Sequence, residues 1–154
     1  MGANASRMQR QVDKSALSVL RASGGADITG DAVQLVVSLN ELRAYWQNYE
    51  IPHGKFVIPV NVTKADAGGT NAYSIAVLVD DAVGMNDSPV TVLTLPITPG
   101  ALGNYEIVVD SKSIPQLDTD HSGTDKWLAL KALVSGNGTP KLNFSASLGP
   151  NIGA

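Results

Sequence analysis

An acidic segment late in the chain carries the residue types that are best able to bind a metal. Oxygen-bearing side chains alternate there and a glycine follows, as in the first half of a calcium loop. These residues are Asp118, Asp120, Ser122 and Gly123. The twelfth loop position is Ala129, where calcium loops need a bidentate glutamate. We therefore expect calcium to bind weakly or not at all, and we interpret the segment as a solvated loop between strands.

Catalytic groups are the second possibility. His121 lies among those carboxylates, which would raise its pKa and orient it as a general base. The sequence has no Gly-x-Ser-x-Gly nucleophile elbow to use that base, and His53 lies in a Pro-His-Gly turn. Asp80 and Asp81 are adjacent at a strand end, so their side chains should point to opposite faces. We predict no catalytic residue, no metal site and no cofactor, and therefore no enzyme.

Composition narrows the class of protein further. The chain has 154 residues and no cysteine, which suits one domain and excludes disulfide scaffolds and thiol chemistry. Lys and Arg number 11 against 14 Asp and Glu, which argues against a nucleic-acid or membrane-surface binder. No apolar run reaches the roughly 18 residues of a membrane span, and nothing marks export. Charged residues are only 16% of the chain, which favours a protein that covers its surface with partners.

Alternation of apolar and polar residues predicts an all-β fold. Pro59 interrupts one run, which predicts an edge strand or a bulge there. Gly136-Asn-Gly138 is typical of a tight hairpin between the last two strands. We expect a single antiparallel jelly roll or β-sandwich of about eight strands, with an open barrel as the alternative. In the regularly alternating runs, one face should lie on the core. The eight runs are 16–20, 33–39, 56–63, 73–79, 90–95, 105–110, 125–134 and 142–148, of which 16–20, 90–95 and 125–134 are shorter or less regular.

Two segments depart from this pattern. Residues 40–50 have apolar and aromatic residues at helical spacing, which predicts one short helix with Asn40 as its N-cap. Residues 1–14 form a polar, basic N-terminal arm that we expect to be ordered only on a partner, and residues 15–154 form the jelly-roll domain. The helical spacing comprises Leu42, Tyr45, Trp46 and Tyr49, and the basic residues of the arm are Arg7, Arg10 and Lys14.

Surplus apolar surface predicts an interface. Segment 125–134 is apolar on both faces, so its strand is either central or covered by a partner, and Trp127 belongs to it. Tyr45, Trp46 and Tyr49 belong either to the core or to an interface, where such aromatic residues are enriched. We expect self-association, with a dimer favoured and a trimer possible.

The order of strands and turns resembles the capsid cement, or decoration, proteins of short-tailed bacteriophages. The segments that carry the resemblance are the run 55–63, the Ala-Gly-Gly-Thr turn ending at residue 70, the strand ending Val-Asp-Asp at 81, the runs 90–95 and 127–133, and the closing run 138–147. It spans residues 31–148, and segment 45–49 has no counterpart in it. The resemblance implies a jelly roll on the outside of an icosahedral shell.

The function implied by the resemblance is structural. The protein would bridge major capsid protein subunits on the outer surface of the virion, after residing in the host cytoplasm before assembly. Since such shells are often acidic outside, Arg7 and Arg10 would dock the arm on a neighbouring subunit. The alternative is a carbohydrate- or receptor-binding β-sandwich of a phage virion, with the 118–125 loop supplying polar contacts. Neither reading involves nucleic acid or a membrane.

Overall fold

The computed structural model describes residues 19–41, 55–114, 126–148 and 151–153. Strands dominate these ranges, together with a short 3-10 turn at Ser111–Ser113. A helical turn also begins at residue 39. The strands are β1 (Val19–Arg21), β2 (Ala32–Ser38), β3 (Lys55–Ala65), β4 (Ala72–Asp80), β5 (Val90–Ile97), β6 (Gly103–Asp110), β7 (Trp127–Ser135), β8 (Leu142–Ser147) and β9 (Asn151–Gly153).

The strands form two antiparallel sheets. Sheet I has the order β1-β8-β3-β6, with β9 also paired to β3, and sheet II has the order β2-β7-β4-β5. The pairs β1·β8, β2·β7, β3·β6 and β4·β5 are those of one long hairpin whose two arms are rolled across both sheets. That arrangement is a jelly roll. The predicted all-β sandwich is confirmed.

One apolar core lies between the sheets. Alternate residues of β3 and β8 point into it from sheet I, and alternate residues of β4 and β7 meet them from sheet II. The bulkiest of these side chains have essentially no solvent exposure, so burial of apolar surface is the main stabilising term. They include Phe56, Phe144, Ile58, Ile75, Leu128 and Leu130.

Arg21 fastens the short strand β1 to its neighbours. Its Nε donates to the carbonyl oxygen of Phe144 at 2.9 Å, and its guanidinium lies 5.3 Å from the Phe144 ring centroid. The same guanidinium donates to the side chains of Gln34 in β2 and Asn143 in β8. One side chain thereby bridges the two sheets at the edge where β1 and β2 lie.

Pro59 does not mark an edge strand or a bulge, contrary to the sequence prediction. It lies in β3, between β6 and β8, and pairs with Glu106 in an unbroken register. On the other side of β3, pairing with β8 stops at Val60 and pairing with β9 is confined to Lys55 and Phe56. Pro59 occupies the gap between those two partners, where its missing N–H costs no ladder bond.

The predicted hairpin at Gly136-Asn-Gly138 is also wrong. β7 and β8 belong to different sheets, so the segment crosses from one sheet to the other. It packs on the β3–β4 crossover, where Asn71 Nδ2 donates to the carbonyl oxygen of Gly138 and Asn71 Oδ1 accepts from its N–H. Thr70 and Asn137 add a reciprocal pair of hydrogen bonds. We call residues 66–71 and 136–141 the crossover pair.

The N-cap of the helical turn is Ser38 rather than Asn40. The Oγ of Ser38 accepts from the backbone N–H of Glu41 at 3.3 Å, the bond that defines an N-cap side chain. The helix therefore starts directly after β2. The remainder of the predicted helix, residues 42–50, lies outside the described residues.

Candidate interaction surface

Only one of the six predicted partner-binding residues can be placed. Arg7, Arg10, Tyr45, Trp46 and Tyr49 lie outside the described residues, as do the 118–125 loop and both histidines. Trp127 opens β7, opposite Ser38 of β2 and Asp80 of β4.

Strand β7 is central in its sheet, between β2 and β4, as one of the two alternatives predicted. This position determines the neighbours of β7 within the sheet and does not exclude a partner on its outer face. That outer face carries a second apolar cluster away from the main core. Ala76, Leu78, Met85 and Ala129 are buried there, with Val36, Trp127 and Leu133 packed against them.

The loop after β4 supplies part of the cover over this cluster. Met85 is 5% exposed although it belongs to the connection between β4 and β5, and its φ of 53° is unusual for a residue with a side chain. Trp127 is half-buried in the same cluster. Its indole is therefore committed in part to the protein's own packing.

A bulge in β2 creates an exposed apolar patch beside that cluster. The register of β2 against β7 shifts between Val33 and Val36, which adds one residue to β2. Val33 is 37% exposed and Leu35 is 54% exposed, while Val36 is half-buried beside Ala129. We call Val33, Leu35 and Val36 the β2 patch. Regular alternation along the predicted run 33–39 places Val33 and Leu35 on the core face together with Val37, and this prediction is wrong because a one-residue shift exchanges the faces of a strand.

The outer face of sheet I differs in chemistry. Its exposed positions on β3 and β6 are mostly amide, hydroxyl or carboxylate side chains, with Val108 as an exposed apolar residue among them. Sheet I is therefore polar outside, whereas sheet II carries the apolar surface. The polar set includes Asn61, Thr63, Asn104 and Glu106.

Asp80 anchors the β4–β5 loop from the end of β4. Its side chain is 1% exposed, and its two oxygens accept from the backbone N–H groups of Asp81 at 2.8 Å and Asp87 at 3.0 Å. Burial alone would raise the pKa of Asp80, but backbone N–H groups from Asp87, Ala82 and Asp81 stabilise its carboxylate and leave the pKa lowered. Met85 lies within the segment that these bonds close.

Asp81 behaves in the opposite way. Burial, followed by the nearby charge of Asp87, raises the pKa of Asp81, and its carboxyl group also hydrogen-bonds to Asp80. The two neighbours interact because β4 ends at Asp80, so strand alternation does not separate their side chains. In the part of the chain that the structure describes, no group of three or more potential ligands could hold a metal ion.

Asp80 predicts a loss of stability in acid. A carboxyl group whose folded pKa is lowered stabilises the fold above its ordinary pKa of about 3.9 and loses that contribution as pH falls below it. We expect Asp80→Asn to unfold at a lower urea concentration than the native protein at pH 6. The difference between the two urea midpoints should become steadily smaller below about pH 4, because Asp80 of the native protein is then increasingly protonated.

Asp87→Asn is the matched control, because it removes the same charge from the same loop. It keeps the backbone N–H that binds Asp80, and none of the described residues hydrogen-bonds to its side chain. Tryptophan fluorescence in urea between pH 6 and pH 3 measures both variants. A gap between Asp80→Asn and the native protein that stays constant over this range would contradict the assignment.

Comparison with known proteins adds no relative. No protein-family model matches the chain, and no match is found among curated proteins or solved structures. Within the described ranges, no helix has the length and hydrophobicity needed to cross a membrane. The fold and its surfaces are therefore the basis for the functional argument.

Proposed function

We propose that this protein is a non-enzymatic cement protein of a bacteriophage head, which binds the outside of the capsid and bridges major capsid protein subunits. The β2 patch is the observation that carries the proposal. It places exposed apolar side chains at an edge of sheet II, next to the cluster that contains Trp127. The low charge of the chain, 16% of residues, supports the same conclusion.

The physical basis of such a function is contact area. Burying apolar surface stabilises an interface by roughly 25 cal/mol per Å² before association costs are subtracted. A small patch such as Val33 and Leu35 gives a weak contact by itself. Many copies on one shell strengthen the attachment, because each subunit bound at several points dissociates slowly.

The opposite face of the sandwich suits exposure to solvent. Sheet I presents mostly amide, hydroxyl and carboxylate groups, which remain hydrated without an interface. A decoration protein needs one adhesive side and one soluble side. We therefore assign sheet II to the shell and sheet I to the outside.

Leu35→Asp is expected to weaken binding to heads by about tenfold or more, since it places a charge in the apolar contact, and tenfold corresponds to about 1.4 kcal/mol. The measurement is co-sedimentation with empty heads built from the major capsid protein of the same phage. Leu102→Asp is the matched control, because Leu102 is 58% exposed and lies outside sheet II. Equal weakening by both variants would contradict the assignment of sheet II to the shell, and no binding by the native protein would overturn the cement function.

The carbohydrate-binding alternative needs exposed aromatic rings beside polar groups. The segment with Tyr45, Trp46 and Tyr49 and the 118–125 loop lie outside the described residues. Binding to a glycan array by a protein that ignores heads would favour that alternative instead.

A further inference from the structure

Five strands have a neighbouring strand on one side only in the described ranges. They are β1, β6 and β9 in sheet I, and β2 and β5 in sheet II. An edge strand presents unpaired N–H and C=O groups, and proteins usually block it with a short length, a bulge, a proline or a charged side chain. A long and regular edge can pair with another strand where its charged side chains do not face like charges.

Four of these five edges are short or interrupted. β1 and β9 have only three residues each, and the register of β1 shifts between Val19 and Arg21. β2 contains the bulge between Val33 and Val36. β5 contains Pro96, and its register with β4 shifts between Val77 and Leu78 of β4.

β6 is the exception. Its eight residues pair with β3 in one unbroken register, from Lys55 opposite Asp110 to Val62 opposite Gly103. It contains no proline, and its charged side chains are two carboxylates, Glu106 and Asp110. Within the described residues β6 pairs with β3 alone, so one side of it has no neighbouring strand.

We propose that β6 is a self-association edge, which pairs antiparallel with β6 of a second copy around a two-fold axis. In such a pair, each outward-facing residue must stand opposite an outward-facing residue of the second copy, and each core-facing residue opposite a core-facing one. Glu106 opposite Val108 meets this condition, since both are exposed. The two copies of sheet I then become one continuous sheet across the axis. Closed two-fold pairs are also the commonest form of homo-oligomer.

The outward side chains select one register. With Ile107 opposite Ile107, residues 104–110 all pair, Glu106 faces Val108 of the second copy, and Asn104 faces Asp110. A two-residue shift in one direction places Glu106 opposite itself, and in the other direction places Glu106 opposite Asp110. Like charges directly opposite destabilise a strand pair. Two of these registers give the longest overlap, over residues 104–110 or 103–109, and only the first has no facing carboxylates. That register is why we assign a second copy as the occupant.

This inference does not depend on the capsid proposal, and purified protein alone tests it. Sedimentation velocity over a concentration series should show a reversible dimer of the native chain. Val108→Glu places two carboxylates opposite each other twice per dimer and should weaken dimerisation about tenfold or more. Val108→Lys places an amine opposite Glu106 and should leave the dimer as strong as the native one or stronger.

Rescue and control variants complete the experiment. Combining Val108→Glu with Glu106→Lys restores opposite charges and should recover the dimer. Val90→Glu changes an equally exposed residue on the β5 edge and should leave dimerisation unchanged, since Val90 is 52% and Val108 is 45% exposed. A native protein that stays monomeric at millimolar concentration would overturn the proposal, as would equal weakening by Val108→Glu and Val108→Lys or a failure of the rescue.

Discussion

Gly136→Ala is expected to destabilise the protein by about 3 kcal/mol or more, from backbone strain of about 1–3 kcal/mol and overpacking of similar size. Gly136 has a φ of 125°, a conformation that residues with a side chain rarely adopt. A Cβ at this position would lie 2.6 Å from the backbone nitrogen of Asn71 and closer still to its Cα. Backbone at such a distance must move, and the crossover pair would separate.

Gly30→Ala is the control for that substitution. A Cβ on Gly30 meets no atom within 4 Å, so we expect a change within about 0.5 kcal/mol. Urea unfolding followed by circular dichroism measures both variants. A loss below about 1 kcal/mol for Gly136→Ala would show that the crossover pair adjusts freely.

Leu130→Ala is the second substitution with a large expected effect, a loss of about 2–5 kcal/mol. Leu130 is fully buried in the main core, where β7 pairs with β4 at Val77. The substitution removes apolar contacts and leaves a cavity that the two packed sheets cannot close.

Leu35→Ala makes the same chemical change on the bulged edge strand. Leu35 is half exposed, so its truncation should cost about 0.5 kcal/mol or less. Thermal and urea unfolding of the two variants compare the positions directly. Similar losses would mean that Leu35 is packed as firmly as Leu130, and the β2 patch would then not be available to a partner.

The sequence predicted several strands well because their apolar and polar side chains alternate clearly. β3, β4, β6 and β8 occur within a few residues of their predicted positions, and the jelly roll follows from their number. β9 was not predicted, since its three residues have no periodicity of their own and its pairing depends on β3.

The failures come from tertiary partners that a single segment does not contain. The segment that begins at Gly136 has the composition of a hairpin turn, but it connects two different sheets and is held by hydrogen bonds to Asn71 on another loop. The β2 bulge exists in relation to β7, so the periodicity of β2 alone could not reveal that Leu35 is exposed. Pro59 is tolerated because neither β8 nor β9 pairs with it on that side of β3, which depends on strands distant in the sequence.

The surface was predictable only in part. Trp127 was identified from a strand that is apolar on both faces, and it does lie on the outer face of sheet II. Asp80 was noticed as a charged strand end, but its role in closing a loop depends on the N–H of Asp87, seven residues later. The position of β6 at the end of sheet I was not predicted, because it depends on the spatial order of strands that are distant in the sequence.

The interleaved strand order has a kinetic consequence. β1 pairs with β8, and the hydrogen bond from Arg21 to Phe144 spans 123 residues. High contact order of this kind slows folding, because a large loop must close before the distant contacts form, and comparable β-sandwiches fold in roughly milliseconds to seconds. On the ribosome, β3 cannot acquire its β8 neighbour until the strands between them and β8 itself have been synthesised. Until β8 emerges, the nascent chain exposes the apolar faces that this strand will cover.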